Sequence, residues 1–382
     1  MSFVTHLECS RTGETTAHDR LRGLSSDGAP LLVRYDLQAA GKAVSKSDLT
    51  GRAFDMWRLR ELLPLPAGAD RVSLGEAVTP LIDLGRRADE HKLARLFFKD
   101  ESRLPTGSFK ARGMAMAVSM AKHFGVQVLA VPTAGNAGAA AAAYGARAGM
   151  AVHVFMPEDT AQETIELIRF LGAQGTQVDG LIDACGRRVR EGTAEMGWHD
   201  LSTLAEPYRI EGKKTMGLEL AEQMGWTLPD VIYYPTGGGT GFIGMWKAFR
   251  ELAEIGWLDV QLPRMVAVQT EGCHPIVDAY RRGLDVVPEP WADVRTEVHG
   301  VRVPKALGDF LILRVIKESG GHGVAPSDEE AHAARNALAQ QDGVAASLEG
   351  ALCYAALQHE LAEGRVRPGE RVAIFNTGAC IL

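Results

Sequence analysis

Pro105-Thr106-Gly107-Ser108-Phe109-Lys110-Ala111-Arg112-Gly113 places a lysine where a glycine turn gives way to a helix of small residues. An amine attacks a carbonyl only while part of it is neutral, and partial desolvation beside a helix N-terminus disfavours the ammonium form. Thr106 or Ser108 is expected to cap the helix, and Gly107 to supply the tight turn before it. A lysine just after a helix cap is also an ordinary surface feature. The meaning of Lys110 therefore depends on what else the chain supplies.

A second stretch, Pro235-Thr-Gly-Gly-Gly-Thr-Gly241, follows the apolar run Val231 to Tyr234 and precedes Phe242, Ile243, Met245, Trp246 and Phe249. That order predicts strand, glycine loop, helix. Gly237, Gly238 and Gly239 let backbone amides converge, and the helix behind them adds the positive end of its dipole, so a phosphate monoester fits. Thr236 and Thr240 can add hydroxyls. No Lys-Ser or Lys-Thr pair closes the loop, as a nucleoside triphosphate site requires, and no alternating glycine fingerprint of a dinucleotide fold is present. A flexible turn explains one glycine more readily than three in a row.

The third stretch runs Val131-Pro-Thr133-Ala134-Gly135-Asn136-Ala-Gly138 into the alanines 139 to 143 and Tyr144. A small-residue helix start offers N–H groups that can cradle a carboxylate, and the Asn136 amide can donate to a phenolate-type oxygen. The same stretch also reads as a helix packed closely on a sheet with Asn136 as its cap. Taken together, the three stretches ask for an aromatic cofactor that carries a phosphate.

The chain of 382 residues is 46% hydrophobic and 23% charged, enough for two domains with a buried core. A net charge of −7 without a basic cluster argues against nucleic acid as a partner. Cys9, Cys185, Cys273, Cys353 and Cys380 are scattered and never closely paired, the pattern of a reduced, cytoplasmic protein. Neither they nor the isolated histidines have metal-ligand spacing, so no metal is expected. The N-terminus lacks a signal-type apolar core and the alanine run is too short for a bilayer, so no membrane partner is expected. Strands are predicted at 96–98, 126–131, 152–156, 231–234, 265–269 and 372–375. Helices are predicted at 161–171, 181–196, 213–225, 240–256, 328–340 and 348–363. This alternation predicts an α/β protein with parallel sheets. Residues 24–68 read as an irregular arm.

The set Thr106-Gly-Ser-Phe-Lys-Ala-Arg-Gly113, the Asn136 loop, the Gly237 loop and Phe375-Asn-Thr377-Gly378 resembles the pyridoxal-phosphate enzymes of the tryptophan synthase β fold type, and within them the threonine synthases. The resemblance extends from Cys9-Ser-Arg-Thr-Gly-Glu14 through Glu206-Pro-Tyr-Arg209-Ile-Glu-Gly-Lys-Lys-Thr-Met-Gly217 to the C-terminus. It implies fold type II: two three-layer α/β/α domains with mostly parallel sheets and pyridoxal 5'-phosphate in the cleft between them. The implied layout is an N-terminal segment, 1–68, a large domain from 69–91 plus 205–382, and a smaller mobile domain, 92–204, carrying the Lys110 and Asn136 loops.

By the same resemblance Lys110, flanked by Phe109, holds the cofactor and moves protons. Asn136 bonds its 3-oxygen, Gly237, Gly238, Gly239 and Thr240 hold its phosphate, and Thr377 offers a hydroxyl to its pyridine nitrogen. A neutral partner there suits β- and γ-elimination over transamination. The implied reaction turns O-phospho-L-homoserine and water into L-threonine and phosphate. Arg209 is expected to bind the leaving phosphate, with Thr106, Thr133, Ala134 and Gly135 lining the substrate site. The chain departs from the family at Thr203-Leu204 and Glu206-Pro207, where Asn-Ser and Asn-Pro are usual, and at Ala111, where Asp is usual. Glu206 would repel a dianion if it pointed inward. An ammonia-lyase or β-replacement enzyme acting on a hydroxy-, diamino- or phospho-amino acid is the alternative. Lys213 and Lys214 are nearby candidates for the same phosphate, more readily read as solvated, and a homodimer is implied.

Overall fold

The computed structural model describes residues 2–133, 135–180, 182–259 and 261–380. In chain order the strands are β1 (Val4–Cys9), β2 (Thr15–Thr16), β3 (Leu31–Tyr35), β4 (Leu81–Asp83), β5 (Arg95–Asp100), β6 (Val128–Pro132), β7 (Ala151–Pro157), β8 (Gln174–Val178), β9 (His199–Asp200), β10 (Val231–Pro235), β11 (Arg264–Val268), β12 (His322–Val324) and β13 (Arg371–Asn376). The helices are α1 (Leu37–Ala43), α2 (Gly85–Glu90), α3 (Lys110–His123), α4 (Asn136–Ala148), α5 (Gln162–Phe170), α6 (Ile182–Met196), α7 (Tyr208–Gln223), α8 (Thr240–Glu254), α9 (Pro275–Arg281), α10 (Asp309–Ser319), α11 (Asp328–Asp342) and α12 (Leu348–Ala362). The chain separates into two compact units. One holds the chain to Val78, Leu104–Thr106 and Lys110–Thr215; the other holds Thr79–Arg103, Gly107–Phe109 and the chain from Met216 on.

In the first unit a parallel sheet, ordered β8-β7-β6-β9, carries α4 and α6 against β6 and β7. The alanines of α4 follow from this packing. A Cβ on Gly138 would lie 2.6 Å from the Thr133 methyl and 2.8 Å from Ile168 Cδ1, so only glycine lets the helix sit so near the sheet. The same unit contains an antiparallel sheet, β2-β1-β3. Its β3 and α1 lie inside the stretch expected to be an irregular arm. Leu31-Leu-Val-Arg-Tyr35 supplies β-branched and aromatic residues, and the Asp36 carboxylate caps α1 by accepting from the Ala39 amide at 2.9 Å.

The second unit is built on six strands ordered β12-β11-β10-β13-β5-β4, parallel except for β4. One face of the sheet, with Leu96, Phe98, Val231, Tyr233, Val266, Val372 and Ile374, packs into the core formed by α11 and α12. The alternate residues Ile232, Tyr234, Met265, Ala267, Ala373 and Phe375 are buried as well, and α8 and α10 lie against β11. Burial on both faces is why these strands read as unbroken apolar runs.

All six predicted strands are present within a few residues, and so are the six helices. The helix expected at 213–225 begins earlier, at Tyr208, for a reason given below. The expected division of the chain falls elsewhere. β5, assigned to 92–204, is the neighbour of β13 in the six-stranded sheet, whereas 69–78 and 205–215 pack with the first unit. Segment 1–68 belongs to that unit too. No described helix is long and apolar enough to cross a membrane.

Candidate active site

Within the second unit, β10 runs through Thr236 and the glycines into α8. The N-cap of α8 is Gly239, in the left-handed region at φ 81°, so no side chain serves the first amides of this 15-residue helix. Those N–H groups have no acceptor inside a helix and carry its positive dipole end. A Cβ on Gly237 would stand 2.7 Å from the Gly300 carbonyl oxygen, one on Gly239 would overlap Ile312, and one on Gly241 would overlap the Tyr234 hydroxyl. The cradle thus requires glycine at three places, and Gly238 and Thr240 complete it. Its donor set suits a phosphate monoester. Thr236 is the exception: its hydroxyl donates to the Tyr234 carbonyl at 2.8 Å, so it is not a donor for a ligand.

The turn 299–301, whose Gly300 faces Gly237, is held by Glu349. The Glu349 carboxylate accepts from the Gly300 amide at 2.8 Å. In sequence this first-turn glutamate of α12 reads either as facing the cofactor ring or as a helix-dipole partner. At the end of β13, the Thr377 carbonyl accepts from the Phe109 amide at 3.0 Å, and the Ala379 amide donates to Gly107 at 2.8 Å, with Ser108 bridging Gly378. Phe109 stands edge-on to Tyr234, ring centroids 6.1 Å apart. The residue that covalently precedes Lys110 is therefore pinned beside Thr377, which is 6% exposed. The Ser108 hydroxyl is sequestered and has no partner, so it does not cap α3.

In the first unit Lys110 is the opening residue of α3, half-buried. Thr106 lies in the left-handed region at φ 61°. Such a conformation is strained for a β-branched residue. Its hydroxyl is buried without a partner, so it too fails as the expected cap. In the asparagine loop the Thr133 hydroxyl accepts from the Gly135 amide at 3.1 Å. Gly135 is the N-cap of α4, and Asn136, its first residue, is exposed. Ala134 lies outside the described residues.

Glu206 is 1% exposed, and its two carboxylate oxygens accept from the Tyr208 and Arg209 amides, each at 2.7 Å. It is the cap that starts α7 early. Burial pushes its carboxyl up to about 7 against those amides and the Arg209 charge. The Arg209 guanidinium is 2% exposed; it donates to the Leu201 carbonyl, and its Nε has no partner. Burial lowers its pKa. Leu204 is 1% exposed with φ 66°. Lys213 and Lys214 are both 0% exposed, which corrects the expectation that they are solvated. Lys214 pairs with Glu211 at 2.6 Å, and the Tyr35 hydroxyl donates to the same carboxylate at 2.6 Å. No cluster of metal-ligating side chains occurs among the described residues.

Residues 72–378 match the family described as pyridoxal-phosphate dependent enzyme. The chain is 33% identical to the threonine synthase of Methanocaldococcus jannaschii over 372 residues, covering 97% of this chain and 91% of that one. It is 32% identical to the threonine synthase of Methanosarcina acetivorans, covering 98% and 91%. Among solved structures it is similar to the diaminopropionate ammonia lyase of Escherichia coli, with a TM-score of 0.69 and 19% identity, covering 81% and 86%. That likeness shows the fold.

Proposed function

Because the chain belongs to the threonine synthases, a family of fold type II pyridoxal-phosphate enzymes, we propose that it converts O-phospho-L-homoserine and water to L-threonine and phosphate by γ-elimination and β-addition of water. The observation that carries the reading is the buried Arg209, whose Nε has no partner, on a helix whose first turn is capped by Glu206. A guanidinium with donors to spare suits a leaving phosphate. The two Glu206 oxygens turn to the amides of its own helix, so neither is directed by those bonds at a ligand.

In this reading Gly237, Gly238, Gly239 and Thr240 hold the cofactor phosphate, Thr377 faces the pyridine nitrogen and Asn136 the 3-oxygen. The glycine cradle and the uncapped α8 amides support the fit. Pyridoxal phosphate, when bound, supplies an electron sink for the carbon skeleton of the substrate amino acid. Lys110 would hold the cofactor and then, as a free amine, take one proton from Cα and one from Cβ; with phosphate gone from Cγ it would deliver one proton to Cγ and, after water adds its oxygen at Cβ, one to Cα. Thr106, with its sequestered hydroxyl, and Thr133 and Gly135 line the substrate side. A homodimer and a cytoplasmic setting belong to the same reading.

The buried Leu204, apolar where the family offers a hydroxyl, favours the second reading, an ammonia-lyase or β-replacement enzyme. The decisive assay incubates the cofactor-loaded protein with O-phospho-L-homoserine and follows threonine and phosphate together, with Lys110→Ala as control. Equal release of both, lost in the variant, is expected. A loaded protein that releases no phosphate overturns the reading and directs attention to hydroxy- and diamino-acids.

A further inference from the structure

At the C-terminal ends of β13 and β5 one side chain joins three elements of the second unit. Asn376, the last residue of β13, is buried, and its backbone lies in register with that of Asp100, the last residue of β5. Its Nδ2 donates to Asp100 Oδ1 at 2.8 Å, and its Oδ1 accepts at 3.0 Å from the amide of Ser347, the N-cap of α12. A carboxylate accepts and a backbone amide donates, so these two partners fix which way the Asn376 amide faces. Asp100 is held in turn, since the Ser102 amide donates to its Oδ1 at 3.1 Å and Arg103 Nε to its Oδ2 at 3.3 Å. A Cβ on Gly350 would stand 2.4 Å from Asn376 Oδ1 and 3.0 Å from Asn376 Cα, so α12 approaches this closely only with glycine there.

This junction is one peptide away from Thr377, and planarity passes its constraint directly to that residue. On the other side the Thr377 carbonyl accepts from the Phe109 amide at 3.0 Å. The backbone of Thr377 is thereby pinned from both ends, while its hydroxyl bonds to none of the described residues.

We infer that Asn376 is a positioning residue for the reaction: by tying β13 to β5 and to the cap of α12, it aims the Thr377 hydroxyl at the pyridine nitrogen of the cofactor. The inference rests on the reading in which Thr377 faces that nitrogen. A hydroxyl bonds well only at about 2.7–2.8 Å and over a narrow range of angles. A displacement of about 0.5 Å in the residue that carries it spoils such a bond. Threonine is stiff at χ1, so its side chain cannot recover by rotation what the backbone loses. An Asn376 that only stabilised the end of the sheet would leave the ring nitrogen untouched.

The test loads the protein with pyridoxal phosphate carrying nitrogen-15 in the ring and records the nitrogen and phosphorus signals by solid-state magnetic resonance, so turnover plays no part. A hydrogen bond to a pyridine nitrogen moves its signal upfield, and loss of the bond moves it downfield. Thr377→Val marks the position of the ring without that bond. Asn376→Ala should carry the nitrogen signal at least about half of the way to that position and leave the phosphorus signal in place. Cofactor affinity should fall about threefold to tenfold, the range for one hydrogen bond. Asn376→Asp, equal in shape, sets a second carboxylate against Asp100 and should move the nitrogen signal the same way. Either variant suffices once circular dichroism shows it folded. Ile374→Val, two residues earlier in the core face of β13, controls for destabilisation alone and should leave the nitrogen signal unchanged. A signal unmoved in the folded Asn376 variants overturns the inference, and so does one that Ile374→Val moves as far. Failure of the underlying reading has a different signature: Thr377→Val itself would leave the nitrogen signal where it stands in the wild type.

Discussion

Replacing Glu206 with glutamine should change how stability depends on pH, because this carboxyl is buried at the cap of α7 and burial raises it from 4.5 to about 7. A carboxyl whose folded value lies above its unfolded one binds more protons when folded, throughout the interval between the two. Folding therefore gains nothing from this group in alkali relative to acid; the stability present below pH 4.5 is lost as pH rises through 7. The displacement corresponds to about 3 kcal/mol. With 1% of the residue exposed, screening by water subtracts little. Glutamine resembles the protonated acid, so the constant effects of the substitution, including the altered cap and the neighbouring Arg209 charge, drop out of the slope. The assay is urea unfolding of the apoprotein between pH 4.5 and 8. The stability of wild type minus that of Glu206→Gln should fall by about 3 kcal/mol across the range. A difference constant to within about 0.5 kcal/mol would refute the premise that burial outweighs the amide bonds and the Arg209 charge at Glu206.

Two further substitutions test the same physical account. Gly239→Ala forces a Cβ into the left-handed region, costing about 1–2 kcal/mol, and into Ile312, costing about 1–3 kcal/mol more; a clear drop in thermal midpoint with weakened cofactor retention is expected, and an unchanged protein would mean that the loop is not tightly built. His199 has its Nε2 sequestered without a partner, and burial lowers its pKa to about 4. The folded imidazole resists protonation, so stability present above pH 6.5 is lost as pH falls towards 4. His199→Gln should flatten the thermal midpoint over that interval, and an equally steep acid decline in the variant would contradict the assignment.

The strands of the six-stranded sheet were legible because burial on both faces leaves runs such as Val231-Ile-Tyr-Tyr234 without a polar position. The glycine cradle was legible because three adjacent glycines have few other uses, and contact of Gly237 with the Gly300 carbonyl supplies the reason. The roles of Thr106 and Ser108 were not. Capping is a local inference, and the pairing of 107–109 with 377–379 is a long-range one that no short window contains. Glu206 was suspect as a charge near a phosphate, yet its oxygens turn to the amides of its own helix, a choice decided by backbone geometry. Lys213 and Lys214 illustrate the same limit. Adjacent lysines on a helix usually face water, whereas the close approach of α3 and α7 at Gly113 and Gly212 lays Lys213 over Gly113.

The central claim is tested most directly by running the reaction on O-phospho-L-homoserine in water enriched in oxygen-18 and weighing both products. Elimination cleaves the carbon–oxygen bond and water adds at Cβ, so threonine should carry one heavy oxygen and phosphate none. Heavy oxygen in the phosphate, with homoserine as the organic product, would mean simple ester hydrolysis and would contradict the account.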